Sequence, residues 1–196
     1  MRCVYCYNPH IVNGKGKISY DEIITFLQTR KGLLDAVVLS GGECTQHRGL
    51  PSFIQQIRDM GFKIKIDTNG SNSEMLSFLI EYKQVDYVAL DFKALPEKYE
   101  LLTQSSLFPK FEKTLEKLIS SVVPFEVRTT LHSNLICKED LQKMANWLVE
   151  KGYHGKYYLQ NFVNDTPTLS NVGYSSSLQN KNIDFETSQL EIEIRN

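Results

Sequence analysis

Short apolar runs alternating with amphipathic stretches limit this chain to one class of fold. Residues 34–39, 62–66, 85–90, 125–130 and 156–162 are brief and rich in Val, Ile, Leu, Tyr and Phe, the pattern of buried strands. Between them the apolar spacing changes to three and four. Over residues 19–30, Ser19 and Glu22 predict a capping box, Ile23, Ile24 and Leu27 form the stripe, and Gly32 ends the helix. The same periodicity predicts helices over residues 51–61, 73–82, 111–121 and 138–150. Five strands with helices between them imply parallel crossovers and an α/β fold. A barrel, a part-barrel and an open doubly wound sheet all remain compatible with this pattern.

The 196 residues suit one domain with a substantial core. Residues 1–163 carry the strand–helix alternation. Residues 164–196 read as an irregular tail, in which Ile183, Phe185, Leu190, Ile192 and Ile194 offer one late strand. A net charge of −1 argues against a broad nucleic-acid-binding face. No apolar run approaches the roughly 18 residues of a membrane span. Four cysteines do not make a disulfide framework, so a reducing cytoplasm is expected.

Polar residues collect at the C-terminal ends of the predicted strands: Ser40-Gly41-Gly42-Glu43, Asp67-Thr68-Asn69, Asp91-Phe92-Lys93 and Arg128-Thr129-Thr130. Barrels and open α/β sheets both place their chemistry at this edge. Gly41 and Gly42 permit a tight turn, or let a ligand lie against the backbone, with Glu43 to meet a cation such as an ammonium group. Asp67 and Asp91 could cap helices, but two acids at one edge also suit a polar ligand or a bound cation. Lys93 can pair with Asp91 or with a ligand carboxylate. Glu126 and Arg128 project from one face of a strand, where they can pair with each other; Arg128 also suits a carboxylate ligand.

Near the start, Cys3 and Cys6 have the spacing of two metal or iron–sulfur ligands, or of a redox dithiol. A zinc ribbon wants a second such pair, and the sequence has none. Cys44 and Cys137 are isolated and read as small, buried, inert residues.

In this order, the motifs resemble those of the radical S-adenosylmethionine (SAM) enzymes. The carrying strings are Arg2-Cys3-Val4-Tyr5-Cys6-Tyr7-Asn8-Pro9, Ser40-Gly41-Gly42-Glu43 after its apolar run, Lys63-Ile64-Lys65-Ile66-Asp67-Thr68-Asn69-Gly70, Leu90-Asp91-Phe92-Lys93, Glu126-Val127-Arg128-Thr129-Thr130 and Tyr158-Leu159-Gln160-Asn161-Phe162. Within that superfamily the chain looks like the activating proteins of anaerobic ribonucleoside-triphosphate reductase. The resemblance implies a (β/α)6 partial barrel and a [4Fe–4S] cluster that binds SAM and cleaves it reductively. It also implies a glycyl-radical partner enzyme and a low-potential electron donor such as flavodoxin. Residue by residue, Cys3 and Cys6 match the second and third cluster ligands, and Tyr5 the aromatic position near the adenine. Gly41, Gly42 and Glu43 match the motif that meets the methionyl amino group. Asp67, Thr68 and Asp91 match positions near SAM that also ligate a monovalent cation in a related activase. Lys93 and Arg128 are candidates for the methionyl carboxylate or the partner's glycine loop, and Gln160 for the adenosyl side.

Two departures accompany the resemblance. Cys44 stands where the family usually has proline. The first cluster cysteine belongs four residues before Cys3, and the barrel's first strand ahead of that, so the chain as written is expected to lack both and to bind a cluster poorly. A radical SAM reaction on another glycyl-radical enzyme or on a small molecule, and a non-catalytic scaffold, are the competing readings.

Overall fold

A computed structural model describes residues 1–14, 16–177, 185 and 189–195. Its centre is an all-parallel sheet whose strands are β1 (Ala36–Leu39), β2 (Lys63–Thr68), β3 (Tyr87–Asp91), β4 (Phe125–Leu131), β5 (Lys156–Asn161) and β6 (Glu191–Arg195). The spatial order is β1-β2-β3-β4-β5-β6, with each strand parallel to the next. Strictly sequential order leaves no switch point, where a doubly wound sheet would reverse. Barrel-type winding, open between β1 and β6, is therefore the architecture, as the resemblance implied.

Six strands replace the five legible from the apolar runs. The late strand is β6, which pairs with β5 from Lys156↔Glu191 to Gln160↔Arg195. Ile192 and Ile194 lie in it and Leu190 is buried just before it, whereas Ile183 falls outside the described residues.

The helices are α1 (Pro9–Asn13), α2 (Tyr20–Gln28), α3 (Leu50–Asp59), α4 (Ser73–Glu81), α5 (Pro96–Thr103), α6 (Phe108–Ile119) and α7 (Lys138–Glu150), with a 3-10 turn over Cys44–Gln46. Ser19 and Glu22 make the predicted capping box of α2: the Ser19 N–H donates to Glu22 Oε2 at 2.8 Å, and the Glu22 N–H donates to Ser19 Oγ at 3.2 Å. The short helices α1 and α5 carry too narrow an apolar stripe to stand out in the sequence.

Alternation along each strand divides the sheet into two faces. Ile64, Ile66, Val88, Leu90, Val127 and Leu159 are fully or almost fully buried in the hydrophobic core. Phe92, Phe108, Phe111 and Trp147 cluster near the end of β3, with Phe92 stacked on Phe111 at 4.9 Å between centroids and tilted against Trp147 at 5.3 Å. Gly70 lies against this cluster at φ +73°, where a Cβ would come within 3.0 Å of Leu90 and 3.2 Å of Phe111. Only glycine lets the turn after β2 sit that low. Its carbonyl accepts from Thr114 Oγ1 at 2.8 Å, which ties the turn to α6. The other face carries Lys65, Asp67, Asp91, Glu126, Arg128 and Gln160, and it opens into the cleft at the strands' C-terminal ends.

Candidate functional site

One cleft of about 250 Å³ lies at that edge. It gathers eleven of the twelve site residues expected from the sequence: Cys3, Tyr5, Cys6, Gly41, Gly42, Glu43, Asp67, Asp91, Lys93, Arg128 and Gln160. Thr68 does not line it. That side chain is buried and instead donates to Glu43 Oε1 at 2.8 Å.

One wall is built from strand ends. Gly41 has φ +132°, a backbone state that disfavours any side chain, and neither Gly41 nor Gly42 has a neighbour where a Cβ would project. The turn thus presents bare backbone to open space. Glu43 then caps the 3-10 turn. Its Oε1 accepts from the Thr45 N–H at 3.2 Å, Thr45 Oγ1 at 2.5 Å and Thr68 Oγ1 at 2.8 Å, and its Oε2 accepts from the Asn69 N–H at 2.7 Å. Glu43 therefore fixes the loop after β1 to the end of β2, and Oε2 retains a lone pair for a further donor.

Beside it runs a chain of alternating charges. Arg128 reaches Asp67 Oδ2 at 3.2 Å and Asp91 Oδ1 at 2.8 Å, and Lys93 Nζ lies 3.2 Å from Asp91 Oδ2. Two cations against two carboxylates make this four-group network neutral. Burial alone would pull the proton affinities of Lys93 and Arg128 down, but Asp91, joined by Asp67 for Arg128, more than reverses this and holds both charged. Arg128 and Glu126 do not form the pair that their spacing allowed. Glu126 accepts from the Tyr87 hydroxyl at 3.1 Å, and Lys65 and Arg195 each approach its Oε1 at 3.6 Å. Lys65 is also 3.6 Å from Asp67 Oδ1, so the charge alternation continues down the sheet face.

The facing wall is the cysteine loop. The Arg2 and Val4 N–H groups donate to the Thr103 and Leu102 carbonyls, each at 2.9 Å, and the Cys6 N–H donates to the Cys3 carbonyl at 3.0 Å. Cys3 and Cys6 are free, half-buried thiols. Burial pushes the Cys3 thiol up, with Lys93 opposing. Tyr5, 4% exposed, has a buried hydroxyl with no partner, and burial raises that phenol as well.

Of the two cysteines expected to be buried and inert, Cys44 is: its thiol lies within 3.5 Å of the Leu39 carbonyl and 3.6 Å of the Asp67 carbonyl. Cys137 is exposed instead, because it starts α7, where its N–H and thiol both donate to Asp140 Oδ2 at 2.8 and 3.0 Å.

Cys3 and Cys6 fit two ligand positions of an iron–sulfur cluster: soft donors, adjacent on one turn, both open to the cleft. Among the described residues no group of three or more Cys, His, Asp or Glu side chains converges as a metal site.

Sequence reasoning passed over Asn69, whose N–H orders Glu43, and Thr130, which lines the cleft one strand alternation beyond Arg128. Both lay within strings already noted, and the period-two rule would have flagged Thr130. Ile11 and Val12 of α1 also line the cleft and left no signal.

The sequence model of the radical SAM superfamily matches residues 1–148. A candidate glycyl-radical enzyme activating enzyme of Methanocaldococcus jannaschii is 32% identical over 155 residues, covering 74% of this chain and 62% of that protein. A second candidate activating enzyme from the same organism is 27% identical, covering 75% of this chain and 58% of that protein. The chain thus spans about three fifths of the length of these relatives. Among solved structures, anSMEcpe with bound AdoMet and a peptide superposes with a TM-score of 0.68 at 19% identity, covering 83% of this chain and 48% of that one. Streptococcus suis SuiB bound to S-adenosylmethionine gives 0.64 at 15% identity, covering 84% and 39%. No helix among the described residues is long and apolar enough to cross a membrane.

Proposed function

This chain belongs to the radical SAM superfamily, and on that premise we propose that its cleft seats SAM beside a [4Fe–4S] cluster to generate a glycyl radical on anaerobic ribonucleoside-triphosphate reductase. The observation that carries this reading is the convergence of two thiols, a bare Gly-Gly turn and the Asp67–Arg128–Asp91–Lys93 network on one cleft. When bound, the cluster would supply the low-potential electron for reductive cleavage of SAM, the radical chemistry on which glycine activation would depend.

The chain's own residues supply placement. Cys3 and Cys6 are two of the cluster's ligands. The Gly41-Gly42 backbone and the free lone pair of Glu43 Oε2 receive the methionyl ammonium. The carboxylate shares Arg128 and Lys93 with the acids already there. A neutral four-group network suits a zwitterionic amino-acid moiety, since neither end brings an uncompensated charge. Asp67 and Asp91 would offer carboxylate oxygens to a monovalent cation beside the methionyl carboxylate, whereas the Thr68 hydroxyl is already engaged by Glu43 and the Gly70 N–H. Tyr5 and Gln160 lie toward the adenosyl side. An activating role also fits a cytoplasmic setting with flavodoxin as the electron donor.

The test is anaerobic reconstitution, with iron and sulfide, of a form that carries a third cluster cysteine four residues before Cys3, then incubation with SAM, a reductant and the reductase. Formation of 5′-deoxyadenosine together with a glycyl-radical signal in electron paramagnetic resonance is expected. SAM cleavage without that signal would redirect the reading to another glycyl-radical enzyme or a small molecule. Absence of both SAM binding and cleavage would leave a non-catalytic scaffold.

A further inference from the structure

Among the described residues neither thiol in the cysteine loop has a side-chain hydrogen-bond partner; the loop is held by the buried Tyr5 ring and by its backbone. Val4 is held on both sides: its N–H donates to the Leu102 carbonyl at 2.9 Å, and its carbonyl accepts from the Ser170 N–H at 3.0 Å. One residue pair along, the Cys6 carbonyl accepts from the Leu169 N–H at 3.1 Å. The loop is thus clamped between the end of α5 and a segment far along the chain, beyond β5.

That segment is itself braced. Asn164 and Ser175 close its neck with a reciprocal pair, Asn164 Nδ2 to the Ser175 carbonyl at 2.8 Å and the Ser175 N–H to Asn164 Oδ1 at 2.9 Å. Just past β4, the Ser133 N–H donates to Ser175 Oγ and the Ser176 N–H to Ser133 Oγ, both at 3.0 Å. Hydrogen bonds therefore anchor both ends of this segment beside the end of β4, and the chain between them reaches the carbonyls of Val4 and Cys6.

We infer that Leu169 and Ser170 are positioning residues: through their backbone N–H groups they set the loop conformation that aims Cys3 and Cys6 into the cleft. Their side chains are not required for this. With the strap released, the Val4 and Cys6 carbonyls lose their donors and the loop keeps its bonds to α5 and its Tyr5 anchor. The two thiols then sample orientations in which they no longer act as a pair.

Proline substitution removes one N–H at a time. In Leu169→Pro and Ser170→Pro, alkylation by iodoacetamide at fixed pH, followed residue by residue by mass spectrometry, is expected to quicken about fivefold at Cys3 and Cys6. Cys44, buried in the core, and Cys137, already exposed, are expected to keep their rates. Titration with Co(II) alone, read from its thiolate charge-transfer absorption, is expected to show affinity weakened about tenfold in both variants. If a proline variant does not fold, Asn164→Ala opens the neck with every backbone N–H retained, and about a twofold rise at Cys3 and Cys6 is expected. Unchanged labelling and Co(II) binding across the variants that fold would overturn the inference. So would an equal rise at Cys44, which marks general loosening. These readouts need neither SAM nor a cluster, so failure of the SAM reading and failure of the strap remain separate results.

Discussion

The two walls of the cleft are held by opposite means. The strand-end wall is fixed by side chains: Glu43 collects four donors, and Arg128 bridges two acids. The cysteine loop is fixed by backbone bonds on either flank and by the buried Tyr5 ring, and among the described residues its thiols have no side-chain partners. An ion-paired wall tolerates few substitutions, because each removal strands a partly buried charge. A backbone-held loop tolerates most side-chain changes and is vulnerable where an N–H is lost. The first design suits a surface that must match a charged ligand. The second leaves sulfur free for metal.

The sharpest way to break this contrast is Arg128→Ala. Asp67 and Asp91 would keep their places, with side chains only 17% and 25% exposed, and lose their common partner. A loss of about 3 kcal/mol in unfolding free energy is expected from urea denaturation. A loss below about 0.5 kcal/mol would mean that the acids relax into water and that the wall is not rigidly built. Cys44 provides the next contrast, as a thiol inside the ionic wall. Burial, with Glu43 adding to it, pushes this thiol up to about 12. At pH 8 it is expected to alkylate about a hundredfold more slowly than an unperturbed thiol. A Cys44 rate equal to that of Cys137 would show the wall opening readily.

Much of the ionic wall was legible beforehand, and little of the loop's support was. Strand ends can be read from period-two runs, so Asp67, Asp91 and Arg128 were assignable to one edge. Which acid Arg128 meets was not readable. The spacing favoured Glu126, but barrel curvature brings Asp67, 61 positions away in sequence, to 3.2 Å. Helix α7 matches its predicted bounds because Leu141, Met144 and Leu148 form a clean stripe. Helix α5 was missed because Tyr99 and Leu102 are its only buried large apolar residues. The strap over residues 169–170 works through N–H groups, which every residue but proline has, so no side-chain pattern announces it.

Support for the loop from the α5 side is testable at Asp140. Its Oδ2 receives Lys98 of α5 at 2.5 Å while also capping α7. Burial alone would raise the Asp140 pKa, but hydrogen bonds from Lys98 and Cys137 hold it below the usual carboxylate value, while the Lys98 pKa is raised by the same hydrogen bond. A lowered carboxylate contributes stability that is present above its unfolded pKa, near 3.8, and lost as pH falls through the folded value. A raised lysine contributes stability that is present below its unfolded pKa, near 10.5, and lost as pH rises through the folded value. Both contributions are therefore intact at pH 7. Asp140→Asn is expected to cost about 1 kcal/mol there, mostly as a lost cap, since Lys98 is 40% exposed. The difference from wild type should shrink below about pH 4. A difference that persists at pH 3 would place the effect outside this pair.

Arg2→Ala is the smallest change and the strictest test of the backbone argument. Arg2 is an exposed residue, adjacent to a cluster-ligand candidate and carrying a full charge, so a side-chain view of the loop would expect a clear effect. Its contribution in the structure is an N–H donated to the Thr103 carbonyl, and alanine keeps that bond. Stability within about 0.5 kcal/mol of wild type is expected, with unchanged labelling of Cys3 and Cys6. Arg2→Pro removes the N–H and should quicken labelling at Cys3 as the strap variants do. If alanine and proline act alike at this position, the guanidinium holds the loop, and the contrast between the two walls fails on the α5 side.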